Sequence, residues 1–210
     1  MTTTELLFPI FKHDAETQAS LKSKGPEIFS HFCGVPGLQS FFRGTVIADD
    51  GKPVDASSGR AALVLEWDDP SSLHAFYPDS STFQAFIKLV RPFVATPDVP
   101  ELFEAVSSSA PCASASVTQI IKVAQRPETE KIWSRLQDTL SETQNAATPV
   151  FSHASGIESQ QGVFLGMVGW QSLRDYEESR ANGAVIDLLR ELGASGKVVD
   201  VVVQVERMAV

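Results

Sequence analysis

The stretch "AALVLEWDDPSSLHAFY", residues 61–77, reads as an apolar strand that stops at Trp67 and passes directly into a helix. Asp69 stands where a side chain can cap the helix, and Pro70 takes the first helical position, where its missing N–H is not needed. The chain then writes nearly the same sentence again as "FLGMVGWQSLRDYEES", residues 164–179, with Ser172 as the cap and Asp175 three residues on. Trp67 and Trp170 stand 103 positions apart. Each following helix carries an aromatic inward, Phe76 or Tyr176, and each breaks, at "YPDSS" (77–81) and at "RANG" (180–183). A second helical stretch follows, in which Phe86 and Leu89 are expected to match Ile186 and Leu189. This is an internal repeat, and it sets the architecture.

The flanking segments complete the repeat. "ELLFPIFK" (5–12) and "SVTQIIKV" (116–123) read as first strands, each followed by a helical stretch. In the second copy Pro127 opens that helix, and Trp133, Leu136 and Leu140 share one face. In the first copy "GP" at 25 and 26 is expected to split the pattern, leaving Ile28, Phe29 and Phe32 as the apolar stripe. Second strands follow in "LQSFFRGTVIA" (38–48) and "PVFSHASGI" (149–157), and last strands in "ELFEAV" (101–106) and "KVVDVVVQVER" (197–207). In the last of these, Val199, Val201, Val203 and Val205 share a face by the two-residue period. Each half therefore reads β-α-β-β-α-β, a ferredoxin-like unit. The expected units are 1–108 and 115–210, joined by a linker at 109–114 inside the small, polar run "SSSAPCASAS" (107–116). A four-stranded sheet covered by helices on one face needs its other face buried. The economical partner is the second copy, so the expected fold is α+β: tandem ferredoxin-like repeats closing a dimeric-type α+β barrel within one chain.

With "LVLEWDDPSSLHAFYPDSSTFQAFI" (63–87) and "MVGWQSLRDYEESRANGAVIDLL" (167–189) in view, the chain resembles the dimeric α+β barrel superfamily, in particular the antibiotic-biosynthesis-monooxygenase-like (ABM) proteins. The resemblance covers essentially the whole chain as two fused copies. It implies the fold firmly and the chemistry broadly. Such proteins include cofactor-free monooxygenases acting on aromatic polyketides, polyketide cyclases, haem-degrading enzymes and proteins without known activity. Single-copy members resemble obligate dimers, so fusion of the halves implies a monomer or weak homodimer here.

Totals narrow the partners. The 210 residues carry a formal charge of −9 with no Lys/Arg run, which argues against nucleic acid or an anionic membrane. No stretch is long and apolar enough to span a bilayer. Two cysteines, Cys33 and Cys112, and a start without a leader-like pattern read as cytoplasmic. No GxGxxG, Walker loop, HExxH, CxxC or GxSxG motif occurs, so no nucleotide, dedicated metal or hydrolase elbow is expected. No cofactor is expected; haem stays open, because one axial histidine leaves no signature.

Four residues are candidates for chemistry. His74, one turn into the helix after Trp67, is a base near neutral pH if it points into a cleft. His153 shares a strand face with Phe151. Glu66 faces away from Leu65 and Trp67, and inside a barrel its pKa would rise. Arg43, flanked by aromatics, suits an enolate or carboxylate oxygen. For each, the competing reading is an ordinary surface or structural side chain. Trp67, Tyr77, Phe42, Phe86 and Trp170 are the expected walls of a pocket for a hydrophobic small molecule. Three readings follow: a cofactor-independent, base-initiated monooxygenase or cyclase of secondary metabolism, a haem protein, or a small-ligand-binding module.

Overall fold

The computed structural model describes residues 1–143 and 148–210. The first half contributes strands β1 (Thr2–Leu7), β2 (Leu38–Asp49), β3 (Ala61–Trp67) and β4 (Glu101–Ala105), with helices α1 (Ala15–Ser30), α2 (Pro70–Phe76) and α3 (Ser81–Val90). A single helical turn, α4 (Ala110–Ala113), leads into the second half. That half has strands β5 (Val117–Ala124), β6 (Val150–Gly156), β7 (Val163–Trp170) and β8 (Val199–Arg207), with helices α5 (Thr129–Thr143), α6 (Leu173–Arg180) and α7 (Gly183–Leu192).

Within the halves the strand orders are β4-β1-β3-β2 and β8-β5-β7-β6, and every pairing is antiparallel. Edge strand β4 pairs with β6 and edge strand β8 pairs with β2, so the eight long strands close on themselves. Closure leaves no unpaired long edge and buries the face that one copy would expose. The chain is thus an α+β barrel of two fused ferredoxin-like units.

Three cores follow from strand alternation. Leu6, Phe42, Phe103, Ile120, Leu165 and Val203 fill the barrel. Outside it, α1–α3 bury Ile28, Phe41, Leu65, Trp67 and Leu73 against the first sheet. Helices α5–α7 do the same with Ile121, Leu136, Phe164, Trp170 and Leu188 on the second. The caps act as expected: Asp69 accepts from the Ser71 amide at 2.8 Å and Ser172 from the Asp175 amide at 3.2 Å.

Three local expectations change. The "GP" dipeptide does not split α1, which runs through Pro26, because the apolar stripe of Ile28 and Phe29 stays anchored on the sheet. In α7 the inward residues are Val185, Leu188 and Leu192, while Ile186 is exposed. The match to α3 therefore runs Phe86 to Leu188 and Val90 to Leu192, two positions later than the sequence pairing. The run expected as a polar linker instead plugs the barrel: Cys112 and Ala113 are fully buried among the interior side chains.

Candidate functional site

Along β1 the side chains of Thr4 and Leu6 enter the barrel, so those of Thr3, Glu5 and Leu7 must face the helices. Glu5 thereby arrives in an apolar layer. Glu5 is 5 % exposed, and its Oε2 accepts the indole N–H of Trp67 at 2.8 Å. Burial pushes its pKa from the ordinary 4.5 up to about 7, and the Trp67 hydrogen bond opposes part of that rise. A carboxyl group so placed exchanges its proton near neutrality.

Glu5 lines a cavity of about 310 Å³ between the first sheet and helices α2 and α3. Its walls are aromatic: Phe32 packs on Phe86 at 4.9 Å and Tyr77 on Phe83 at 4.9 Å between ring centres. Trp67 stands behind the wall, packed on Phe76 at 5.7 Å. Among the described residues the polar lining is limited to Glu5, Tyr77 and Asp98, with no lysine, arginine or histidine. Asp98 accepts from the Phe8 and Val99 amides, holding the 97–100 segment against the cavity. A second space of about 510 Å³ shares Leu7, Leu63, Phe86, Ile87, Pro97 and Asp98 with the first, so the two form one cleft along α3.

The second half carries the same frame with different contents. Thr3 pairs with Trp67 and Glu5 with Leu65; in register, Val117 pairs with Trp170 and Gln119 with Val168. Gln119 therefore occupies the place of Glu5. It donates to Asp200 Oδ1 at 2.8 Å, Arg180 donates to Asp200 Oδ2 at 2.6 Å, and the buried Trp170 N–H has no partner among the described residues. Gly166, in the place of Leu63, lets the Trp133 ring lie directly on the sheet, where a Cβ would come within 2.5 Å of it. Trp133 fills space that the first half leaves open.

The sequence candidates divide accordingly. Tyr77 and Phe86 line the cleft, and Trp67 supports Glu5 from behind. Phe42 points into the barrel core, and Trp170 belongs to the second half's outer layer. Glu66 is buried inside one end of the barrel, where its Oε2 accepts from Ser108 and Ser109 hydroxyls and from the Ser109 and Ala110 amides. It anchors the plug. His74 lies on the surface, 2.7 Å from Glu158 of the second half, and His153 is exposed in the middle of β6, stacked on Phe164 of the second half. Arg43 faces the helices near α1, over the Phe29 ring. Glu5 is the residue sequence reasoning passed over. Its signal was the pair "TELL" (4–7) and "TQII" (118–121), a polar residue at one place in both first strands.

The architecture has solved counterparts. An anthrone oxidase-like protein shares it at a TM-score of 0.64 and 14 % identity, covering 99 % of this chain and 92 % of that one. An uncharacterized ferredoxin-fold protein of Listeria monocytogenes, related to antibiotic biosynthesis monooxygenases, does so at 0.50 and 9 % identity, covering 99 % and 96 %. The fold is the one these proteins share. A haem-binding protein of Thermus thermophilus shares this barrel too, at 0.54 and 10 % identity over 97 % and 90 %. The likeness runs over nearly the full length of this chain and of each counterpart, so it takes in both ferredoxin-like units of the barrel. No protein-family model and no curated protein matches the sequence. Among the described residues, no helix is long and apolar enough to cross a membrane and no three His, Cys, Asp or Glu side chains cluster as a metal set.

Proposed function

We propose that this chain is a cofactor-independent enzyme that takes a proton from a hydrophobic, aromatic or polyketide-like small molecule, with Glu5 as the base. The observation that carries the reading is a buried carboxylate inside an aromatic cavity, held by the Trp67 N–H and titrating near neutrality. A flat apolar substrate fits between the Phe and Tyr walls. The Glu5 carboxylate takes the proton from an activated C–H or O–H and becomes a neutral acid, and the electron pair stays on the substrate as an enolate. Tyr77 lines the same cavity, and its hydroxyl is the group suited to donate to the developing oxyanion. The enolate then reacts with dioxygen, one oxygen atom entering the substrate and the other leaving as water, or closes onto a carbonyl of the same molecule. Both courses belong to secondary-metabolite biosynthesis, and the likeness in fold to an anthrone oxidase-like protein suits the first.

A haem reading finds no histidine ligand in the cleft among the described residues. His74 and His153 lie outside its walls, and no histidine lines either of its two spaces.

The test uses anthrone as substrate. Wild-type protein should consume dioxygen and form the quinone, or, on the cyclase-like course, exchange the acidic C–H for deuterium without oxygen uptake. Glu5→Gln should lower either rate by about 10²–10⁴-fold. Equal rates in both proteins would remove Glu5 as the base.

A further inference from the structure

The cleft continues past Leu63 to a charged end. A third space of about 300 Å³, between the first sheet and α1, shares Leu63 and Phe11 with the cleft and is lined by Arg43 and Arg60. Leu63 lines all three spaces. In the sheet, Glu5 and Phe41 flank Leu65 while Leu7 and Arg43 flank Leu63, so Glu5 and Arg43 lie diagonally on one face. Two strand spacings and two residues of rise place their backbones about 12 Å apart. That separation suits a fused-ring molecule with a polar group at each end.

The two guanidinium groups are only partly committed. Arg43 lies 4.4 Å from the centre of the Phe29 ring and gives one N–H to Glu206 at 3.1 Å, and Glu206 is 69 % exposed. Arg60 gives one N–H to Asp49 at 2.7 Å. Each guanidinium carries five donors, and a solvent-exposed partner holds its arginine weakly. Among the described residues Glu206 is the single acid in the lining of this space, against two arginines, whereas the Glu5 end carries acids and no base. The cleft is therefore acidic at its Glu5 end and basic at its Arg43–Arg60 end, with Arg91 and Asp98 together in the space between.

We infer that the Arg43–Arg60 end is an anion-recognising subsite, and that the substrate is an amphiphile whose carboxylate sits there while its reactive ring reaches toward Glu5. The subsite's place in catalysis rests on the reading of Glu5 as base; its affinity for carboxylates does not. Arg43 and Arg60 act here as positioning residues, because neither lines the cavity that holds Glu5.

The experiment compares a fluorescent naphthoate with its neutral methyl ester. Wild-type protein should bind the carboxylate about tenfold tighter than the ester, with a preference that shrinks as salt rises. Arg43→Gln combined with Arg60→Gln should abolish the preference and leave ester binding unchanged. Arg43→Lys, which keeps the charge and loses the planar fork, should retain part of it. Glu5→Gln should leave the preference intact while lowering turnover, which separates failure of the subsite from failure of the base. Equal or tighter binding of the ester, a preference that survives in the double glutamine variant, or no saturable binding of either probe would overturn the subsite.

Discussion

Trp67 holds Glu5 by a 2.8 Å hydrogen bond from its indole N–H, although the residue paired with Trp67 across the strands is Thr3. This explains why an apolar strand ends in a tryptophan. The ring seals sheet against helix, and its one polar atom reaches diagonally to the acid buried in that layer. In the second half the acid has become Gln119, turned toward Asp200, and the Trp170 N–H is left without a partner among the described residues. The tryptophan persists as packing where its hydrogen-bonding task has gone.

Glu5 should weaken the fold at the pH where it works. Its folded pKa of about 7 lies above the ordinary 4.5, so between those values the folded protein keeps a proton that the unfolded chain has released. Stability then falls as pH rises through that window and levels off above it; the full difference is on the order of 3 kcal/mol. Glu5→Gln removes the titration and keeps an acceptor for Trp67. Urea unfolding at pH 5 and pH 8 should show the variant gaining on wild type as pH rises. Parallel behaviour of the two proteins would mean that Glu5 titrates as an ordinary surface acid.

Removing the indole N–H isolates the effect of the hydrogen bond. Because that bond favours the charged carboxylate, Trp67→Phe should raise the Glu5 pKa further, and the acid limb of the rate profile should move up by about one unit. A change in kcat with no movement of the limb would assign Trp67 to packing alone.

The sequence showed the frame more plainly than the site, for a physical reason. Trp67 and Trp170 end equivalent strands, and alternation in Val199–Val205 fixed which face of the last strand enters the barrel. Those patterns are set by burial, which recurs residue by residue. Glu5 broke a burial pattern at one position, and a lone acid at the head of an apolar run looks like a strand's solvated start. Its environment comes from Trp67, which lies 62 positions away and on another strand. Glu66 and His74 drew attention as polar groups beside the tryptophan. Their surroundings, a barrel plug and Glu158, come from segments distant in the chain.

The second half should be separable from the chemistry. Trp133 is buried on Gly166 beneath α5, so Trp133→Ala empties a large volume and should cost about 3–5 kcal/mol. Gly166→Ala drives a Cβ into the same ring and should cost about 1–3 kcal/mol. Measured under conditions where both variants remain folded, the rate at the Glu5 cavity should match wild type. A selective loss of turnover in Trp133→Ala would place working residues in the second half.

His74 and Glu66 should part in opposite ways from a catalytic pair. The His74–Glu158 contact joins the two halves at the surface, where both side chains are about half exposed, 51 % and 49 %. Such pairs contribute about 1 kcal/mol or less, so His74→Ala should barely move Tm and leave kcat alone. Glu66 is buried, and its Oε2 receives four hydrogen bonds from Ser108, Ser109 and Ala110. Glu66→Ala strands those donors at the barrel end and should cost about 3 kcal/mol or more. Glu66→Gln keeps an acceptor and should recover part of that. Thermal unfolding and turnover of the three variants decide the matter together. If either residue were the base, its substitution would abolish turnover while Glu5→Gln spared it.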